Sequence, residues 1–344
     1  MATHNGYTAI RSSGKEEWLQ QRRELGIGAS EISAILGMNP YSASGKVFYD
    51  KIGLGKPFEG NVHTFMGNYY EASVAELWQY WDPAVGMQSV VDNFNSGKPV
   101  RKMRRINALL KSNDYPCLLA TLDRRFQHNG KSAVLEIKTI SGWEQDKWEH
   151  GVPLHYLYQI QQQLLVTGWE YAELCLQRDG RTLEVYDFEP SQPIFDAIIE
   201  RGAEFWGRVT KAREILANGG TENDIQHLVP EPDGTPAYTE FMKERFRDKE
   251  ACNAYIEADI KDYDLALEMI RLEQQKEAAE QAYEKVVQDI KARIGNLDGI
   301  NFGEDFGRIT WRPNAKNVRV FNKRSFNAHA MVKYNAPEVQ EEGT

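Results

Sequence analysis

Ala133–Thr139, AVLEIKT, is the stretch whose reading decides the fold, and it is preceded by Ala120–Arg125, ATLDRR. Val134, Leu135, Ile137 and Thr139 are β-branched or aliphatic, which predicts a short buried strand. Side chains alternate along a strand, so Glu136 and Lys138 share one face and Leu135 and Ile137 the other. Charges on such a strand are costly to bury unless something pairs with them. A divalent cation is the economical partner. Asp123 and Glu136 would offer carboxylate oxygens and Ile137 its backbone carbonyl, with Lys138 beside them facing an attacking water. The competing explanation is an exposed edge strand carrying an i, i+2 ion pair, because charged residues are mostly at the surface.

Working outward, Asn129-Gly130 is a hairpin-turn signal. It joins a strand over Tyr115–Asp123 to AVLEIKT, and antiparallel pairing there would bring Asp123 and Glu136 together. Gly67–Trp81 reads as an amphipathic helix with Tyr70, Val74, Leu77, Trp78 and Trp81 on its apolar stripe. Glu71 falls on that inner side, where a carboxylate needs a partner. Val85–Val91 carries weak strand signals. Downstream, Pro153 opens a helix through Gly168 with Leu157, Tyr158, Leu164 and Leu165 on its apolar side and Gln161 among them; Gln159, Gln162 and Gln163 are assigned to other faces. A buried glutamine must be hydrogen-bonded, so Gln161 is a candidate support or substrate contact. Tyr171–Gln177 and Thr182–Phe188 read as a hairpin, and Pro193–Ala217 as a long helix.

Near the start, Glu16–Leu25 reads as a short helix anchored by Trp18. Gly26–Ser30, GIGAS, follows, then a helical run from Glu31 to Leu36 for which Ser30 is the expected N-cap. The glycines let backbone approach a ligand, and a helix start beside Arg22 and Arg23 can receive a phosphate. Plain capping at a helix–helix turn explains the same residues.

With 41% hydrophobic and 26% charged residues in 344, the chain has the composition of an ordinary soluble protein of two domains, or of one with a long appendage. No apolar run reaches the ~18 residues of a membrane span, and the first residues lack a signal-peptide core. Cys117, Cys175 and Cys252 are scattered, which fits a reducing compartment and gives neither a disulfide framework nor a four-cysteine cluster site. The net charge of −9 is unevenly divided: residues 1–150 hold 18 Lys+Arg against 16 Asp+Glu. Local clusters matter more than the total for nucleic-acid contact. Arg22-Arg23, Arg101-Lys102 with Arg104-Arg105, and Arg124-Arg125 are such clusters.

Residues 218–238 have linker composition. Beyond them a near-heptad of Leu265, Met269, Leu272, Ala279, Tyr283, Val286 and Ile290 predicts an antiparallel helical arm with residues 240–262. A β-hairpin over Ile300–Val320 ends in a basic segment with Arg308, Arg312, Lys316, Arg319, Lys323 and Arg324. The division is therefore 1–217 core domain, 218–238 linker and 239–344 extension.

W-x3-RR, GAS-E, G-x3-E, D…E-x-K and Y-x2-Q-x-Q occur here in that order, over roughly residues 14–215. The set resembles the YqaJ-like viral recombinase family, which includes phage lambda exonuclease and uses the PD-(D/E)xK nuclease motif. The resemblance implies an α/β, restriction-endonuclease-like core, a central mixed sheet flanked by helices. Here a helical-arm plus β-hairpin extension is added. It implies a Mg²⁺-dependent (or Mn²⁺-dependent) 5′-to-3′ exonuclease on linear double-stranded DNA. Such an enzyme leaves 3′ overhangs for a single-strand annealing protein, in a bacterial or phage-infected cytoplasm and as a ring-shaped homo-oligomer. Glu71, Asp123, Glu136, Lys138 and Gln161 would be the catalytic set, and Asp123, Glu136, Ile137 and Glu71 the metal ligands. Arg22 or Arg23, with Ser30, would bind the 5′-phosphate. The sequence departs from the family's usual Pro-Asp-Gly, having Leu122-Asp123-Arg124. Two other functions stay open: an endonuclease or Cas4-like nuclease, and a non-catalytic protein that binds DNA ends or recruits a partner.

Overall fold

The computed structural model describes residues 2–3, 6–56, 60–141, 147–148, 151–247, 255–323, 325–327 and 331. Cys252 and Arg324, both named above, lie outside the described residues. The chain forms two compact units, Met1–Lys249 and Glu250–Thr344.

In the first unit the helices expected on either side of GIGAS are α1 (Lys15–Leu25) and α2 (Ala29–Ile35). The N-cap of α2 is Gly28, not Ser30: its backbone amide donates to the Glu31 carboxylate at 2.6 Å, and Ser30 lies inside the first turn. Then come α3 (Ser44–Lys51) and α4 (Val62–Trp78), the latter starting five residues before the expected Gly67 because Asn61 caps it through the Thr64 amide. The weak strand signals at 85–91 give instead a helix, α5 (Met87–Asn95), with Ser89 and Val90 buried. The valines there supply one buried helical contact rather than an alternating strand face.

Two five-stranded sheets make up the unit. The first orders β1 (Ala2–Thr3), β2 (Tyr7–Ile10), β5 (Leu109–Ser112), β6 (Leu118–Ala120) and β3 (Ile27–Gly28). The second runs β10 (Thr182–Phe188), β9 (Ala172–Arg178), β8 (Lys131–Ile140), β7 (Arg124–His128) and β4 (Met103–Arg104). It is mixed: β7 and β8 form an antiparallel hairpin, whereas β8 and β9 are parallel, joined through α6 (Leu154–Thr167). The Asn129-Gly130 turn has both φ values positive, 50° and 78°, which suits a two-residue hairpin. A long helix, α7 (Gln192–Ala217), completes the expected mixed sheet flanked by helices.

The sheet is buried on both faces, so charges on β8 meet protein on either side. Val134 and Ile140 belong to the larger apolar cluster with Ile160 and Leu164 of α6. Ala133, Leu135 and Ile137 belong to a second cluster with Val74, Ala75 and Trp78 of α4. A polar lock fixes α4 there. The buried Glu173 carboxylate on β9 accepts from Trp78 Nε1 at 2.8 Å and from Arg101 at 2.5 Å, and the Arg101 guanidinium lies 4.8 Å from the Trp78 ring. Removing one partner of a buried ion pair strands the other. Glu173→Ala is therefore expected to destabilise the protein by about 3–5 kcal/mol, read by urea unfolding.

Residues 218–238 are not a linker. They contain a 3₁₀ turn (Gln226–Leu228), and Ile225 and Leu228 sit in the larger core with Ala237, Tyr238 and Phe241 of α8 (Pro236–Phe246). The polar, Pro/Gly-rich composition reflects its exposed positions, while a few apolar residues tie it down. Of residues 240–262, expected to form an antiparallel arm, 240–246 belong to α8, which packs in the first unit, and 248–254 lie outside the described residues. In the second unit α9 (Ile260–Ile294) is one 35-residue helix on which Leu265, Met269, Leu272, Tyr283 and Val286 are exposed. The expected single hairpin is a three-stranded sheet, β11 (Gly299–Asn301), β12 (Arg308–Pro313) and β13 (Arg319–Asn322). No helix among the described residues is long and apolar enough to cross a membrane.

Candidate metal centre

The β7–β8 register places Arg124 opposite Leu135, so Asp123, one residue before β7, falls opposite Glu136. The Asp123 carboxylate accepts from the Ile137 amide at 2.9 Å, fixing it against the strand that carries Glu136 and Lys138. Glu136 is buried, at 2% exposure, and the Lys138 ammonium binds its Oε1. The exposed-edge explanation fails: β8 is a central strand, and its acid is enclosed.

Two glutamines of α6 complete the surroundings of Glu136. Gln159 Nε2 donates to Oε1 at 2.5 Å and Gln163 Nε2 to Oε2 at 2.7 Å. Gln163 also reaches the Thr121 carbonyl at 3.1 Å, just before Asp123. Tyr156, one turn earlier, lies under Lys138, with the ammonium 5.2 Å from its ring centroid. The expectation for Gln161 is therefore corrected. Its amide donates to the Glu189 carbonyl at 2.8 Å and its carbonyl accepts from the Ser191 amide at 2.9 Å, so it holds the entry to α7, away from Glu136. Helix α6 is buried on several sides, so one apolar stripe could not say which glutamine faces the acid. The i, i+3, i+7 series Tyr156, Gln159, Gln163 was the available signal. Gln162, next to these, donates to the Ile27 and Leu119 carbonyls and ties α6 to the GIGAS segment.

Glu71 meets an arginine beside Asp123. Arg124, 7% exposed, donates to Glu71 Oε1 and to the Asp123 carbonyl, both at 2.6 Å. Among the described residues, no three His, Cys, Asp or Glu side chains are gathered as a ready-made metal cluster. Asp123 and Glu136 remain as a pair of hard oxygen donors, and such donors fit Mg²⁺ or Mn²⁺ and not a thiolate-seeking metal. Asp123 lies close to a second buried acid. Burial, then the Glu136 charge and, more weakly, Glu71, push its carboxyl up from 3.8 to about 7, with Lys138 opposing. Burial alone would lower Lys138, but Glu136 and Asp123 outweigh it and hold the ammonium above its ordinary value.

Of the two neighbouring arginines, Arg22 is the one that meets Ser30. Its guanidinium donates to Ser30 Oγ at 2.6 Å and lies 3.3 Å from Glu31. Arg23 contributes its backbone carbonyl to Arg213. Lys51, buried beneath, donates to Glu31 at 2.8 Å and to the Arg22 carbonyl at 2.9 Å. Burial opposes the Glu31 charge, yet Arg22 and Lys51 outweigh it and keep its carboxyl below the usual range. Gly28 is needed for this packing, since a Cβ there would stand 2.7 Å from Arg22 Nε.

A mixed sheet that brings an acid pair and a lysine to one point, supported from an adjoining helix, defines a class of D…E-x-K centres. Residues 17–170 match the model of the YqaJ-like viral recombinase domain. A curated relative described as "Uncharacterized protein YqaJ", from Bacillus subtilis (strain 168), is 30% identical over 240 residues, covering 69% of this chain. The match spans 65% of that relative's length. Among solved structures, an alkaline exonuclease from Laribacter hongkongensis (LHK-Exo) aligns at 15% identity and a TM-score of 0.45, over 60% of this chain and 97% of its own. Its complex with dAMP aligns with the same values. SSO0001 gives a TM-score of 0.29 at 16% identity, over 62% of this chain and 92% of that one.

Proposed function

We propose that the first unit is a metal-dependent deoxyribonuclease, a 5′-to-3′ exonuclease on linear double-stranded DNA that leaves 3′ overhangs for single-strand annealing. The observation that carries this reading is the Asp123–Glu136 pair, opposed by strand register, with Lys138 bound beside it. Asp123, Glu136 and the Ile137 carbonyl would hold Mg²⁺, with Mn²⁺ able to substitute. When bound, the cation polarises the scissile phosphate and opposes charge on the attacking and leaving oxygens. Lys138 brings a fixed positive charge to the phosphate. Gln159 and Gln163 orient Glu136, and Tyr156 restricts Lys138. Arg22 with Ser30 would receive the 5′-phosphate by charge-assisted hydrogen bonds. The exonuclease direction, the annealing partner, the cytoplasmic setting and a ring of subunits are what the resemblance to the family implies. A monomer by light scattering would remove the ring.

Gel analysis of linear and circular duplex labelled at either 5′ or 3′ ends tests the activity. Mg²⁺-dependent release of 5′ label from linear DNA alone is expected. Cleavage of circular duplex would make the protein an endonuclease, and end binding without turnover in any divalent metal would make it non-catalytic. Partners that orient metal ligands typically contribute about 10–100-fold. Gln163→Ala is accordingly expected to slow cleavage by about 10–100-fold, with Gln161→Ala, measured at a temperature where both are folded, within about twofold of wild type.

A further inference from the structure

We propose that Arg124 is the fixed counter-ion of Glu71 and restricts the acidic centre to one divalent cation per chain, held by Asp123 and Glu136. The inference rests on the metal-dependent reading above and deepens it. Strand register separates the two acids. Arg124 pairs with Leu135, on the sheet face packed against α4, whereas Asp123 falls opposite Glu136, on the face toward α6. Glu71 comes from α4 and meets the guanidinium before it can join the pair. The 2.6 Å contact to Glu71 Oε1 is charge-assisted, and the same nitrogen is tethered at 2.6 Å to the Asp123 carbonyl. The Arg124 side chain is only 8% exposed and that of Glu71 23% exposed, so solvent screens the pair weakly.

A third carboxylate beside Asp123 and Glu136 would build a second cation site. Here its charge is already neutralised by a covalently attached cation, in a place where a mobile one would bring no further compensation. Arg124 is thus a positioning residue: it sets how many ions the acids accept and keeps Glu71 from competing for the first.

Mn²⁺ titration followed by electron paramagnetic resonance of the free ion counts sites without requiring turnover. Wild-type protein is expected to bind one Mn²⁺ per chain, Arg124→Lys one, and Arg124→Gln two. The double variant Arg124→Gln with Glu71→Gln should return to one, because the added site needs the freed carboxylate. Two ions on wild-type protein would overturn the proposal while leaving the nuclease reading intact, and that count holds whether or not the variants fold. One ion on Arg124→Gln with a wild-type circular dichroism spectrum would also overturn it. No binding to wild-type protein would overturn the metal reading itself, and this inference with it.

Discussion

Asp123→Asn protein is expected to lose divalent-metal binding and at least about a thousandfold in strand cleavage, yet to fold more stably than wild type when no metal is present. The first part follows because one of the two carboxylates is gone, and metal assistance supplies several kcal/mol of transition-state stabilisation, each 1.36 kcal/mol being tenfold in rate. The second follows from the raised Asp123 carboxyl. A group whose folded pKa exceeds its unfolded value adds stability while protonated, and that contribution is lost as pH rises from about 4 through about 7. Above pH 7 the wild-type site carries two enclosed, mutually repelling carboxylates, and asparagine removes one of those charges. Thermal unfolding in EDTA at pH 8 should place Asp123→Asn a few degrees above wild type. Addition of Mn²⁺ should reverse the order, because only the intact pair gains from the ion. Metal must also displace the Asp123 proton, so apparent Mn²⁺ affinity should rise about tenfold per pH unit below 7 and level off above it. A pH-independent affinity would contradict the coupling.

Lys138→Ala is the second large effect, an expected loss of about 10²–10³ in cleavage rate, in the range measured for a fixed donor aimed at developing charge. Lys138 is bonded to Glu136 and stands over Tyr156, so its ammonium is held in one place before substrate arrives. Its proton is secured by the same acids that would bind the cation, which suits a fixed positive charge better than a proton acceptor in the metal-free protein. The loss should fall on the cleavage rate in single-turnover assays, with Mn²⁺ affinity changed far less than by Asp123→Asn. If Lys138→Ala cleaved at the wild-type rate, the role of this lysine would have to be abandoned.

The central turn was legible, since Asn129-Gly130 determines it and its length sets the register that aligns Asp123 with Glu136. The strand expected over Tyr115–Asp123 was not, because Leu118–Ala120 is β6 of the other sheet and β7, Arg124–His128, is what pairs with β8. Helices α1, α4, α6 and α7 were legible from apolar spacing and terminal residues. The identity of the supporting glutamine was not. Gln159, Gln161, Gln162 and Gln163 are chemically identical, and on a helix buried on several sides only the neighbouring layers decide which one meets Glu136. Arg124 was visible as half of a basic pair and as a departure at the position after the aspartate, but its partner Glu71 lies fifty-three residues away. Residues 218–238 misled for a different reason. Their polar and Pro/Gly content describes solvent-facing positions, while Ile225 and Leu228, with Val229 packed beside them, anchor the segment before α8. The α9 heptad gave the helix correctly, whereas residues 240–246, assigned to its arm, belong to α8 and pack in the first unit.

A crystal soaked in Mn²⁺ and measured at the manganese absorption edge examines the centre most directly. The expected result is an anomalous peak beside the Asp123 and Glu136 carboxylates, with Glu71 still on Arg124. An empty difference map at that position under saturating Mn²⁺, or a peak held by other residues, would contradict the account.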